Sequence, residues 1–270
     1  MRIIFLGEQF SYHHLAAIAF WGKENEFISA PNFKSLIHQV VTGEVDNGII
    51  AVENSLAGDV PGNFELLCNS DVDICGEIIL KIELQLAAIP GAMIDHIQTV
   101  YSHKMAIRET TKFFDQYPGV TFVETASTSS AVKLIAEKHS PDLAAIGSQT
   151  AIQHYKLVPI ATGIANSSDN RTRFLLIKNK SLPPLTTNYP GKASLMLRSD
   201  DEEFLNNLVF DLLDKKEIGF VRSMEDGSVY IEMGLTNNFQ FDNTRREMEE
   251  KGILVRVLGV YHPGITVEGF

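Results

Sequence analysis

Cysteine is scarce in this chain: Cys68 and Cys75 are the only two in 270 residues, and their spacing matches no redox or zinc pattern. Both are expected to be reduced and buried. The eight histidines do not pair at metal-ligand spacing either, because His13 and His14 are adjacent and a helix turns them to different faces. No metal and no cofactor are expected. No apolar run reaches the length of a membrane span, and the N-terminus lacks a basic segment followed by an apolar stretch and a cleavage site. The expectation is a cytoplasmic chain with no membrane partner. Basic residues are also in short supply, with 23 Lys and Arg against 34 Asp and Glu and a formal charge of −11, which argues against a nucleic-acid partner. An acidic chain that binds an anion must therefore concentrate its few arginines locally. Internal repeats are absent. The acidic Asp200-Asp201-Glu202-Glu203 reads as a solvated helix start favoured by the helix dipole.

What is present is an ordinary share of apolar residues, 44%, over a length better divided into two or three compact units than packed on one small core. Arg2 to Leu6 is a short apolar strand, and Gly7 ends it ahead of a helix with the body Leu15 to Trp21. Such a strand, turn and helix present free N–H groups where a carboxylate can dock, although a plain connection explains them equally well. Gly48 to Val52 is a further strand, and Glu53-Asn54-Ser55 stands at its carboxyl end, the usual place for ligand groups in open α/β sheets. Asn54 and Ser55 either contact a ligand or start the next turn. Glu53 is either a proton donor or a structural carboxylate.

Val100-Tyr101-Ser102-His103 ends another strand and is followed by a predicted helix from Met105 to Phe114. Ser127-Thr128-Ser129 precedes the helix beginning at Ala131, where capping and ligand contact can coexist. Ser168 to Ile177 then carries the most distinctive pattern: a polar turn, Asp169-Asn170-Arg171-Thr172-Arg173, runs directly into the apolar strand Phe174-Leu175-Leu176-Ile177. Alternating strands and helices with polar clusters at strand ends argue for two α/β lobes and a ligand cleft between them. The clearest linker is the proline- and threonine-containing stretch 181–191. Beyond it, strands and helices follow in the order β-α-β-β-α-β of ferredoxin-like domains.

Asn170-Arg171-Thr172-Arg173-Phe174 resembles the Thr-Arg-Phe signature of the prephenate dehydratase family. Gly7 to Ala17, Val52 to Ser55 with Gly58, Val100 to His103, Ser127 to Ser129, Ala144 to Ser148 and Tyr155-Lys156-Leu157 resemble further family blocks in the same order. The resemblance implies a two-lobed catalytic domain of the periplasmic-binding-protein type II class over 1–180. Lobe 1 would comprise about 1–78 and 164–180, and lobe 2 about 79–163. An α+β ferredoxin-like, ACT-like domain over 192–270 would follow. It also implies cofactor-independent conversion of prephenate to phenylpyruvate, with arogenate dehydration or non-catalytic binding of an aromatic acid as alternatives, and assembly as a homodimer or homotetramer.

Carried over residue by residue, the resemblance makes Thr172, Asn54 and Ser102 catalytic. Arg173, Phe174, Ser55, Glu53, Thr128 and Ser11 become substrate-binding. Arg173 suits a substrate carboxylate because a guanidinium is permanently charged and binds carboxylate through two parallel hydrogen bonds. Phe174 packs under the ring or fills core. Thr172 is a positioned donor to the leaving hydroxyl rather than a free acid.

Some positions depart from the family pattern. Gly7-Glu8-Gln9-Phe10-Ser11-Tyr12-His13 lacks the usual proline, second glycine and final serine, so Phe10 is expected to change the turn, with a shifted binding mode, weak activity or an additional acid at His13 as the alternative consequences. In the C-terminal module, Asp201-Glu202-Glu203 and Val221-Arg222-Ser223-Met224 replace the two motifs that shape a phenylalanine site in the relatives. Those replacements set phenylalanine as an effector in doubt.

Overall fold

The computed structural model describes residues 1–183, 191–214, 218–235 and 238–268. The first elements are β1 (Arg2–Leu6), α1 (Tyr12–Trp21), β2 (Glu26–Ala30), α2 (Phe33–Val41), β3 (Asn47–Asn54), β4 (Gly58–Asp59), α3 (Asn63–Cys68) and β5 (Val72–Lys81). Next come β6 (Gln85–Ala88), β7 (Thr99–His103), α4 (Lys104–Arg108), α5 (Thr111–Phe114), β8 (Thr121–Thr125), α6 (Thr128–Lys138), β9 (Leu143–Gly147), α7 (Gln149–His154) and β10 (Val158–Ala161). The chain continues with β11 (Arg171–Asn179), β12 (Lys192–Arg198), α8 (Glu202–Asp214), β13 (Ile218–Ser223), β14 (Val229–Gly234), α9 (Asn238–Glu250), β15 (Leu254–Tyr261) and β16 (Ile265–Val267). Helices begin where a side-chain oxygen meets a first-turn amide: Ser11 accepts from His14, Asn32 from Ser35, Ser127 from Ser130 and Ser148 from Ala151.

These strands form three sheets. The first runs β16-β5-β11-β3-β1-β2 with β4 hairpinned on β3, the second β10-β6-β9-β7-β8, and the third β13-β14-β12-β15. The chain leaves the first sheet after β5, builds the second, and returns as β11, which inserts antiparallel between β5 and β3. Two chain crossings therefore join the first two sheets, over 82–84 and 162–170. The third sheet is wholly antiparallel, and its elements follow the expected β-α-β-β-α-β order.

Strand alternation decides what each face meets. Along β11, Phe174 and Leu176 belong to the core that reaches α1 and the second lobe. Leu175 and Ile177 belong to a separate core shared with Tyr230, Leu258 and Tyr261 of the third sheet. On β14 the same period sends Val229, Ile231 and Met233 into the third unit's own core, and Tyr230 and Glu232 toward the first sheet. The fit there is close: a Cβ on Gly259 would collide with the Ile74 carbonyl.

Three expectations need correction. The predicted single helix from Met105 to Phe114 is broken into α4 and α5 at Glu109-Thr110. Asn166 sutures the gap: its Nδ2 donates to the Arg108 carbonyl at 2.9 Å, and its Oδ1 accepts from the Lys112 amide at 2.9 Å. Residues 265–267, expected in the C-terminal module, instead form β16 and pair in parallel with β5, covering an edge that would otherwise present unpaired backbone groups. The crossing expected near residue 79 falls at 82–84, because β5 continues to Lys81. Most of the expected linker, 184–190, lies outside the described residues.

Candidate active site

The C-terminal end of β3 and the start of β11 are register partners, Asn54 opposite Thr172, so two sequence-predicted residues separated by 118 positions meet directly. Asn54 Nδ2 donates to Thr172 Oγ1 at 3.1 Å and to Asn170 Oδ1 at 2.9 Å. The other end of the Asn54 amide accepts from the Leu56 and Ala57 amides, both at 2.9 Å, which fixes which end is oxygen. Asn170 Nδ2 in turn donates to Glu109 Oε2 at 2.7 Å. Ser55 braces the turn, its hydroxyl donating to the Asp169 carbonyl at 2.8 Å and accepting from the Arg171 amide at 2.9 Å.

Asn170 and Glu109 were not among the expected site residues. Asn170 was visible in the motif itself. Glu109 is hidden in a continuous-helix reading, whereas in the structure it lies in the break between α4 and α5 at Glu109-Thr110. Both are buried, and burial raises the Glu109 carboxyl above the usual carboxylate range even though Asn170 donates to it.

Arg173 is corrected most sharply. Adjacent strand residues face opposite ways, and with Thr172 on one face Arg173 lies on the other, toward the third sheet. Its guanidinium is 2.8 Å from Glu77 and in contact with Glu232, with Glu53 at 3.5 Å and the Phe220 ring 5.3 Å away. Lys192 joins the same two carboxylates, 2.8 Å from Glu77 and 2.7 Å from Glu232. Burial works against the Arg173 charge, but Glu232 and Glu77 outweigh it and hold the group protonated; Glu77 is likewise kept ionised against burial by Arg173 and Lys192. Arg173 is thus saturated by protein carboxylates and is not directed at a substrate anion. Glu53 shares its face and is a structural carboxylate.

The remaining expected residues are placed by hydrogen bonds. Ser102 is fully buried and donates to the Ile146 carbonyl at 2.9 Å, tying β7 to β9 within the second lobe. Thr128 is buried in the first turn of α6, next to its cap Ser127. Ser11 caps α1 and donates to the Leu6 carbonyl at 3.1 Å. Phe174 is core, its ring edge-on to His13 at 5.1 Å.

Phe10 does not change the turn as expected. It takes the left-handed conformation itself, with φ 63°, and its amide donates to His14 Nδ1 at 2.9 Å. Its ring lies 4.2 Å from His154 of the second lobe, and Ser129 and Ser148 donate to the Gln9 and Phe10 carbonyls. Left-handed backbone costs a non-glycine residue about 1–2 kcal/mol, offset here by contacts that join the turn to the second lobe. Phe10→Gly is accordingly expected to be more stable than Phe10→Ala by about 1 kcal/mol, the reverse of the usual order, in thermal unfolding of the two variants. Two surface hollows, one along Met196, Arg198 and Leu254 and one along Phe33, Pro61 and Leu66, lie away from this junction.

His13 is no acid. Burial, with the charge of His103 adding to it, pushes its imidazole down to about 3, and burial pushes His14 down to about 4. Both are neutral at neutral pH. A depressed folded-state pKa stabilises above the unfolded value near 6.5, and that stability is lost as pH falls toward the folded value. His13→Phe, which removes one such group, is expected to keep its thermal midpoint to lower pH than the parent chain in melts between pH 7 and 3.

Fold and site together define a two-lobed α/β protein carrying a ferredoxin-like unit, with a hydroxyl and amide cluster where the chain crosses between lobes. A family model for prephenate dehydratase matches residues 3–182, and the chain belongs to that family of carbon–oxygen lyases. A bifunctional chorismate mutase/prephenate dehydratase of Aquifex aeolicus is 27% identical over 99% of this chain and 75% of its own length. Among solved structures, the prephenate dehydratase from Arthrobacter aurescens in complex with L-Phe superposes with TM-score 0.83 at 21% identity, covering 97% of this chain and 90% of that one. GqqA, described as a novel type of quorum quenching acylase, superposes at 0.79 with 21% identity over 97% and 98%. At these identities the structural likeness is one of fold. Among the described residues no helix is long and apolar enough to cross a membrane.

Proposed function

We propose that this family member performs its reaction, the loss of carbon dioxide and hydroxide from prephenate to give phenylpyruvate, at the Thr172–Asn54 cluster. The observation that carries the reading is the direction of one hydrogen bond. Asn54 donates to Thr172 Oγ1, so the single hydroxyl proton of Thr172 is free to be donated elsewhere, and Thr172 is half-buried where the lobes meet. Aromatisation drives the reaction, so the protein's task is to hold the ring and stabilise the departing hydroxide with a positioned donor. With Arg173 engaged elsewhere, the substrate carboxylate falls to the N-terminal turn of α6, where Thr128 and Ser129 sit beside the Gly7–Phe10 turn. The non-catalytic alternative is suggested by the departures in the Gly7 to His13 motif, of which Phe10 adopts a positive φ of 63° like a glycine.

Incubating the purified chain with prephenate and following phenylpyruvate tests the reading; no product with prephenate but turnover of arogenate would transfer the activity to the amino analogue. In the C-terminal module, Arg222 from one of the substituted segments pairs with Asp59 of the β3–β4 hairpin. We therefore expect no phenylalanine binding there by calorimetry. Self-association through the module is a proposal for analytical ultracentrifugation.

A further inference from the structure

Glu109 belongs to the second lobe, yet its carboxyl is the far end of a hydrogen-bond chain that terminates at Thr172 in the first. Read in order, the Asn170 amide donates to Glu109 at 2.7 Å, Asn54 donates to Asn170 at 2.9 Å, and Asn54 also donates to Thr172 at 3.1 Å. An amide side chain has one accepting and one donating end, so Asn170 is oriented from both sides: Asn54, whose own oxygen is held by the Leu56 and Ala57 amides, donates to its oxygen, and Glu109 accepts from its nitrogen. Glu109 is placed to be that acceptor. It sits in the break between α4 and α5, and its own backbone carbonyl is held by the Asn166 amide at 2.6 Å, on the segment that leads to Asn170. Asn170 is fully buried, and its backbone carbonyl accepts from Ile82 at 2.8 Å at the first crossing, so its side chain has little freedom except rotation of the amide. From α1, Tyr12 donates to the Glu83 carbonyl at 2.6 Å at the same crossing.

We infer that Glu109 is a positioning residue of the reaction: by accepting from Asn170 it fixes the amide polarity of Asn170, steadies Asn54 as a donor, and leaves Thr172 to donate its proton toward substrate. It acts across the lobe junction, so the chain is complete only while the lobes are together. This rests on the reading of Thr172 as the donor.

Steady-state kinetics of the full chain with prephenate test both layers separately. Glu109→Leu removes the acceptor and is expected to lower kcat roughly 10- to 100-fold with little change in KM, the scale on which a small misplacement of reacting groups acts. Glu109→Gln keeps an accepting oxygen and is expected to recover at least tenfold of that loss. Asn170→Ala carries the same expectation as Glu109→Leu should the latter not fold, and combining the two is expected to cost no more than the worse single change, because both break one chain. Overturning outcomes are Asn170→Ala or a folded Glu109→Leu retaining more than half of kcat, Glu109→Gln no better than Glu109→Leu, or losses that multiply in the double variant. If Thr172→Val also retained turnover, the reading of the reaction would fail; if only the Glu109 and Asn170 variants did, this inference alone would.

Discussion

Thr172→Val is expected to lower kcat by about 100- to 1,000-fold, the range found when one preorganised donor is removed from a developing negative charge, with KM changed by less than about threefold. Valine has nearly the shape of threonine and is β-branched, so the start of β11 and its pairing with Asn54 and Leu80 survive. What disappears is one hydroxyl that accepts from Asn54 and has its proton left to give. The loss therefore falls on the step in which hydroxide departs rather than on substrate binding. Full turnover of Thr172→Val in a phenylpyruvate assay would remove Thr172 from the mechanism.

Glu232→Ala is expected to destabilise the chain by about 3–5 kcal/mol, because it removes one anion from a buried cluster and leaves its cations short of charge. The Arg173, Glu77 and Glu232 side chains are 12%, 5% and 3% exposed, and Lys192 is 19% exposed. Tyr230 also donates to Glu232 at 2.7 Å, so the hydroxyl network through Ser194 to Tyr261 loses a partner as well. Arg173 is the strand neighbour of Thr172, so kcat is expected to fall with stability even though Glu232 lies in the third sheet. A control on an exposed pair, Glu249→Ala opposite Arg245, is expected to cost no more than about 0.5 kcal/mol. Urea unfolding of both variants, monitored together with turnover, gives the comparison. A Glu232→Ala midpoint equal to that of the control would show that the cluster does not hold the third sheet to the first.

Much of the architecture was legible from local pattern. Apolar alternation and turn residues located the strands around Asn54 and Thr172, the Ser127-Thr128-Ser129 cluster marked the start of α6, and the order of elements after residue 192 indicated a ferredoxin-like unit. The two residues expected at the centre of the site do meet. The motif's chemistry points Arg173 at the substrate, whereas the period of two along β11 places it on the face opposite Thr172, and the alternation decides. Glu109 lay in a stretch with good helical spacing, and no local signal indicates that Asn166, more than fifty residues later, fills a break there. Phe10 was judged by its intrinsic aversion to positive φ, which is real but smaller than the packing that a ring can gain against another lobe.

From the amino-acid order alone came most of the elements and their type, because these depend on neighbours a few positions apart, and the resemblance of its motifs pointed to the hydroxyl and amide groups proposed for the chemistry. Which face each side chain meets, which charges neutralise one another, and which amide orients which were settled only in three dimensions. Those properties depend on groups brought together from positions more than 100 residues apart, and desolvation and hydrogen-bond direction have no counterpart in local spacing.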